Sequence, residues 1–264
     1  MIYVMGDIHG NRRRFDSIMK QIDLQPEDTL YILGDVIDRY PDGISILLEL
    51  MKMPNIRMLL GNHEYMMLNA MAPFNENDQY EFRFHEELLA LWYDNGGECT
   101  HRALLQLSEE TRQEIFSWLW DLPLNIDIEV GGKKYKLIHA APLDRYYDYH
   151  YFYNNKTEFA VWHRWMPQDP DSMGFILILG HSPTRMFQPN NPLAIWHAPS
   201  KRRIGIDCGS GFPLAKDEHR RRPLYGRLAC LRLDDMKEFY SEEPEDEEYA
   251  KNEKERRTNE SATD

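Results

Sequence analysis

Short apolar runs that each stop at glycine or histidine recur along this chain. Residues 2–5, 29–33, 56–60, 135–138 and 175–179 are hydrophobic for the length of a strand and end where a helix would continue, so they read as buried strands. Between the first three runs, residues 15–22 and 43–51 carry apolar side chains at helical spacing. Pro54 marks the exit from the second of these, and residues 65–71 predict a third helix. Strand and helix alternating over residues 1–72 predict parallel βαβ units.

Residues 80–122 have a different character. Residues 86–93 repeat helically until Asn95-Gly96-Gly97 stops them, and Ser108 is placed to cap a helix whose first turn holds Glu109 and Glu110. Ile115, Phe116, Leu119 and Trp120 share a face of that helix, and Pro123 ends it. This stretch predicts a helical cap beside the sheet, within one catalytic domain of residues 1–240. Strand character returns at 126–130, which Gly131-Gly132 joins to 135–138 as a hairpin. It continues at 194–197, 203–206 and 228–233, predicting a second sheet packed on the first.

Composition narrows the class. A hydrophobic fraction of 42% in 264 residues suffices for a buried core, and no run approaches the roughly 20 apolar residues that span a bilayer. The N-terminus starts on a strand with no basic segment, apolar h-region or small-residue cleavage site, which predicts no secretion leader. Cys99, Cys208 and Cys230 are odd in number and far apart; they make no disulfide framework and point to a reducing cytoplasm. Net charge is −13, and residues 241–264 supply ten acidic against four basic side chains. That tail predicts a disordered, solubilising extension. The moderately acidic body argues against nucleic acid as a bulk partner, while bound cations would reverse the local sign for a phosphorylated substrate.

The strand ends carry the chemistry. The first runs into Gly6-Asp7-Ile8-His9-Gly10, the second into Gly34-Asp35-Val36-Ile37-Asp38-Arg39, the third into Gly61-Asn62-His63-Glu64; the later two end at His139 and at Gly180-His181. In an open α/β sheet, ligands bind beyond the carboxyl ends of the strands. Mixed carboxylate, amide and imidazole donors suit divalent manganese, iron or zinc, with no thiolate implied. Two such ions, about 3.5–4 Å apart, clamp attacking and leaving oxygens and acidify a bridging water.

The three ordered motifs, with Gly180-His181-Ser182-Pro183-Thr184, resemble the phosphoprotein phosphatase family of calcineurin-like metallophosphoesterases. The resemblance covers roughly residues 1–235. The Trp92, Asn95-Gly96-Gly97, Thr100 pattern and Trp162-His163-Arg164 are most similar to the bacterial and phage-type serine/threonine protein phosphatases. The resemblance implies a four-layer fold of two mixed sheets flanked by helices and a site of two divalent ions, manganese first. Asp7, His9 and Asp35 would hold one ion; Asp35, Asn62, His139 and His181 would hold the other. Arg39, Arg164 and Asn62 would bind the phosphate, and His63, oriented by Asp38, would protonate the leaving alkoxide. Arginine's planar fork suits two phosphate oxygens better than lysine's point charge.

Two departures from the family pattern stand out. His139-Ala140-Ala141 replaces His-Gly-Gly, and Ile206-Asp207-Cys208-Gly209 places a thiol where the family has threonine. Cys208 reads as a small buried side chain. His85, His101, His150, His163, His197 and His219 lack motif context and read as structural. The aromatic run 146–153 reads as a packed loop over the second sheet or as a substrate-facing wall. Lys201-Arg202-Arg203 and Arg220-Arg221-Arg222 read as solvated charge. The expected activity is hydrolysis of phosphoserine or phosphothreonine in a phosphoprotein or phosphopeptide. A symmetrical diadenosine polyphosphate hydrolase is the alternative, and a catalytically silent phosphate-binding module a remote one. No membrane partner is expected, and the pattern does not address oligomeric state.

Overall fold

The computed structural model describes residues 1–73, 77–171, 174–212 and 226–242. The two sheets have the orders β10-β9-β1-β2-β3 and β4-β5-β6-β8-β7. In the first, β1 (Ile2–Met5), β2 (Thr29–Ile32) and β3 (Ile56–Met58) run parallel, while β9 (Ala229–Arg232) lies antiparallel to β1 and β10 (Lys237–Tyr240) antiparallel to β9. In the second, β5 (Lys133–Ile138), β6 (Ile176–Leu179) and β8 (Arg203–Gly205) run parallel between antiparallel edges β4 (Asn125–Val130) and β7 (Trp196–His197).

Period-two alternation builds the layers. Tyr3 and Met5 of β1 face a core shared with the helices, whereas Val4 faces a second core between the sheets. Leu30 and Ile32 alternate in the same way with Leu33, and Cys230 with Ala229 and Leu231. In the second sheet Tyr135, Leu137 and Ile178 point to the inter-sheet core, while Ile138, Leu177 and Leu179 pack outward with Phe159 and Trp165. The result is the expected four-layer arrangement, with side chains from both sheets interdigitating in the middle.

The first helical layer contains α1 (Arg12–Ile22), α2 (Gly43–Met51), α3 (Asn62–Ala70), α4 (Gln79–Asp94), α5 (Glu98–Leu105) and α6 (Glu109–Trp120). Trp92, Leu104, Ile115 and Leu119 carry the last three of these into the core of the first sheet. Ser108 caps α6 through its Oγ, which accepts Thr111 N–H at 3.2 Å. Gly131 and Gly132, both at positive φ, turn the β4–β5 hairpin with Val130 opposite Lys133.

Several elements differ from the sequence expectation. The first helix starts at Arg12, where Asn11 Oδ1 accepts Arg14 N–H at 3.2 Å, and the third starts at Asn62 itself. The residues expected at 228–233 join the first sheet, not the second, and β10 extends it beyond them. The turn at Gly96-Gly97 leads directly into α5, which the glycines conceal. In the aromatic run, α7 (Tyr146–Tyr149) precedes α8 (Lys156–Trp162). Its rings divide: Tyr146, Tyr149 and Tyr153 pack on Phe159, whereas Tyr147, Tyr151 and Phe152 are 70%, 85% and 79% exposed. The acidic tail beyond 242 and Arg220-Arg221-Arg222 lie outside the described residues. Among those residues no helix is long and apolar enough to cross a membrane.

Candidate metal centre

Every candidate ligand stands just past the carboxyl end of a parallel strand. Asp7 and His9 follow β1, Asp35 follows β2, Asn62 begins the helix after β3, and His139 and His181 follow β5 and β6. Both sheets open to the same side, and polar contacts stitch the seam. His139 Nδ1 meets Leu33 O at 2.7 Å and His181 N–H donates to the Asp7 carboxylate at 3.0 Å, while within the second sheet Gly180 N–H donates to His139 O at 3.0 Å.

The turns that present these residues are strained. Non-glycine residues at positive φ include His9 (55°), Asp35 (53°), Asp38 (71°), Arg39 (70°) and His181 (58°). Each such residue costs about 1–3 kcal/mol and persists only where its surroundings over-determine it. Much of that restraint comes from Glu64, whose fully buried carboxylate accepts Val36 N–H at 2.8 Å, Asp35 N–H at 2.9 Å, Gly61 N–H at 3.2 Å and Ile37 N–H at 3.3 Å. Burial and the charge of Asp35 push Glu64 up to about 7, against these four donors.

Two groups of donors converge within the cluster: His9, Asp35 and His63 in one, Asp35, His139 and His181 in the other, with the ligand atoms of each within 4.8 Å of one another. Asp35 belongs to both. Its Oδ2 lies 3.8 Å from His9 Nε2, and its Oδ1 lies 3.5 Å from His139 Nε2. Asn62 Oδ1 lies 3.0 Å from His139 Nε2 and 2.8 Å from His181 Nδ1. Asp7 sits at the same end of the sheets but outside both groups, its carboxylate turned to His181 N–H. His63, expected as the proton donor, stands beside His9 and Asp35 in the first group.

The chemistry of this donor set fits cations. The Nδ1 of His9 and of His139 and the Nε2 of His181 each face a backbone carbonyl, of Ile37, Leu33 and Trp162 respectively. Carbonyls only accept, so those nitrogens carry the protons. Burial holds all three imidazoles below their ordinary pKa, and hence neutral. Their other nitrogens then point lone pairs at the oxygens of Asn62 and Asp35, although that of His139 also accepts Asn62 N–H at 3.3 Å. Acceptor facing acceptor is unfavourable between buried groups and is the arrangement that a bound cation resolves. The two carboxylates go opposite ways: burial, then Asp207 and Asp35, raise Asp7 well above the usual carboxyl value. Burial also opposes the charge of Asp35, but the surrounding imidazoles, His139 first, hold its carboxyl below the usual range whenever they carry a second proton.

Beside the ligands stands a histidine–carboxylate pair. His63 Nδ1 meets Asp38 Oδ2 at 2.7 Å, and both side chains are buried. Burial works against a proton on His63, yet the carboxylates of Asp35 and Asp38 prevail and raise its pKa. Its Nε2 lies 3.2 Å from the guanidinium of Arg39. Arg39 and Arg164 are both exposed at the rim, and Arg164 bonds the carbonyl of His181 at 2.8 Å rather than a carboxylate. The other described histidines stand apart from this cluster; His101 meets Tyr93, His163 meets Tyr153, and His197 meets Glu238.

Sequence reasoning gave no role to Glu64 or Asp207, although it quoted both. An acidic residue at the third helical position is a recognisable capping signal, but nothing in the sequence shows that Glu64 reaches across to the Asp35 turn. Asp207 follows β8 and adds a further buried carboxylate, which the strand-end rule applied to that run would have found. Cys208 proves to be a small buried side chain of the inter-sheet core, as expected. Lys201 and Arg202 are exposed, whereas Arg203 is buried and bonds Asp171 at 2.8 Å and the Met166 and Pro167 carbonyls.

A sequence model of the calcineurin-like phosphoesterase family matches residues 1–209. Serine/threonine-protein phosphatase 2 of Salmonella typhimurium is 32% identical over 149 residues, which are 56% of this chain and 62% of that protein. A symmetrical bis(5'-nucleosyl)-tetraphosphatase of Erwinia tasmaniensis is 35% identical over 77 residues, 28% of each chain. The chain thus spans less than two thirds of the length of these relatives. Among solved structures, a metallophosphoesterase from Sphaerobacter thermophilus shares the fold at a TM-score of 0.52 and 14% identity, covering 92% of this chain and 88% of its own. With motifs, fold and matched length in agreement, the chain belongs to the calcineurin-like phosphoesterase family.

Proposed function

We propose that the protein hydrolyses phosphomonoesters of serine and threonine in proteins. The observation that carries this reading is the buried His63–Asp38 pair, whose other imidazole nitrogen lies 3.2 Å from the Arg39 guanidinium at the edge of the ligand cluster. A serine alkoxide is a poor leaving group and needs a proton as its bond breaks. Asp7, His9, Asp35, Asn62, His139 and His181 are the residues that would hold two divalent cations, which when bound would supply Lewis-acid activation of the phosphoryl group and of water. Arg39 and Arg164 hold phosphate oxygens at the rim. The Oδ1 of Asn62 faces the imidazoles, leaving its Nδ2 to donate to the phosphate. Asp38 fixes the His63 tautomer with the proton on Nδ1, and a second proton on Nε2 passes to the leaving oxygen.

Replacing His63 by Asn tests the assignment. Turnover of a phosphoserine peptide is expected to fall by about two to four orders of magnitude, and that of para-nitrophenyl phosphate by much less, with bound metal retained. Equal losses on both substrates would show that His63 is not the acid, and loss of metal would show that it is a ligand.

Symmetrical cleavage of dinucleoside polyphosphates is the second reading. It draws support from the relatives of that name and from the exposed rings of Tyr147, Tyr151 and Phe152, flat surfaces on which a base can stack. Parallel assays on a phosphoserine peptide and diadenosine tetraphosphate decide between the two. A higher kcat/KM for the dinucleotide would transfer the assignment to it.

A further inference from the structure

The turn between α4 and α5, with the first residues of α5, grips the three consecutive residues Asp38, Arg39 and Tyr40. Arg39 N–H donates to Gly96 O at 3.0 Å, Asp38 N–H donates to Thr100 Oγ1 at 3.0 Å, and the Cys99 thiol donates to Tyr40 O at 3.3 Å. Asp38 and Arg39 are both at positive φ, so this turn restrains the two adjacent strained residues that flank the proton donor and the phosphate position. Gly97 is what lets the turn lie against the indole of Trp92, since a Cβ there would overlap the Trp92 ring.

Trp92 is completely buried, and packing alone would account for a large apolar ring in the core. Packing does not account for where its N–H points. The indole Nε1 donates to Asp38 Oδ2 at 2.9 Å, the same oxygen that receives His63 Nδ1 at 2.7 Å. Asp38 Oδ1 has no hydrogen-bond partner among the described residues. With both donors on one oxygen, rotation of the carboxylate would break both bonds. Deleting the indole N–H leaves the imidazole as the only group holding that carboxylate from the side.

We propose that Trp92 is a positioning residue for the proton-transfer step, locking the Asp38 carboxylate through its indole N–H so that His63 stays aimed at the leaving oxygen. The proposal rests on the reading of His63 as the acid. It gives the α4–α5 turn a part in the chemistry: the same turn that holds Arg39 by its backbone holds the acid through Asp38.

The test compares phenyl phosphate with para-nitrophenyl phosphate, two small substrates that differ mainly in how much their leaving groups need a proton. In Trp92→Phe, kcat for phenyl phosphate is expected to fall about tenfold, the scale of a lost hydrogen bond to a charged group, with KM and bound metal unchanged. The loss for para-nitrophenyl phosphate should be several-fold smaller. Combined with Asp38→Asn, the Trp92 substitution should add almost nothing, because both act through one carboxylate. Replacing Trp92 by its benzothienyl analogue keeps the shape and removes only the N–H, so it serves even where the Phe variant folds poorly; it should reproduce the selective loss. Equal losses on the two phosphates, additivity with Asp38→Asn, or a wild-type benzothienyl protein would each overturn the proposal and return Trp92 to a packing role. A His63→Asn protein without any leaving-group discrimination would instead remove the acid reading on which it rests.

Discussion

Asp35 is the residue on which most of the site depends. It is the member common to both donor groups, its Oδ1 also accepts His63 N–H at 3.0 Å, and its own backbone is held at positive φ. Asp35→Ala is expected to abolish turnover and to strip bound metal from both positions, which metal analysis of the purified protein would read directly. Two ions per chain in that variant would refute its bridging place. Cys208 presents the opposite case, a reactive residue type made inert by its setting. Burial, with the nearby charge of Asp207, pushes its thiol up to about 12, so near neutral pH it stays the unreactive neutral thiol. Iodoacetamide should therefore leave Cys208 unlabelled in the native protein and modify it after denaturation. Stoichiometric labelling of folded protein, mapped by mass spectrometry, would contradict its packing in the inter-sheet core.

Among the elements, β10 shows how a strand can be essential and illegible at once. Of its four residues only Phe239 is buried, packing on Tyr3 with ring centroids 6.1 Å apart. Phe239→Ala should cost about 3 kcal/mol of unfolding free energy, read in a urea titration; a change below about 0.5 kcal/mol would mean that the edge strand contributes nothing. One inward residue in four gives no periodic signal, so the sequence reading stops at residue 233. By contrast β1, β2, β6 and the second half of β5 were readable because each is mostly apolar and runs on to a glycine or histidine. The same contrast governs the site. Ligands placed directly after such runs could be found by counting from the strand ends. Glu64 and Trp92 act on the Asp35 turn and on Asp38 through hydrogen bonds to residues 27 to 54 positions away in sequence, and no local pattern records a partner at that distance. The helix α5 and the short helices of residues 146–162 stayed hidden because Gly96-Gly97 and a run of tyrosines suggest loop.

At the scale of the whole molecule, the ordered fold closes later than the charge pattern suggests. The sequence sets the start of the acidic tail at Ser241, yet that side chain is buried. Ser241 Oγ accepts Leu228 N–H at 3.1 Å, its N–H donates to Leu228 O, and Glu242 N–H reaches Ser17 Oγ at 2.9 Å. A chain ending at Glu242 is expected to keep its turnover of small phosphoesters and its melting temperature, whereas removing Ser241 as well should lower the melting point. A several-fold fall in turnover for the chain ending at 242, with melting unchanged, would give the remaining tail a part in catalysis.

The contacts that stitch the sheets have a mechanical meaning as well. His139 reaches Leu33, and His181 reaches Asp7, at the edge where the ligands gather. Away from the ligands the sheets are tied again, where His197 of β7 meets Glu238 of β10 at 2.7 Å and Ile195 N–H donates to the Tyr240 hydroxyl at 3.1 Å. The sandwich is therefore pinned at both borders, and the ligand turns of one sheet cannot slide past those of the other without breaking these bonds.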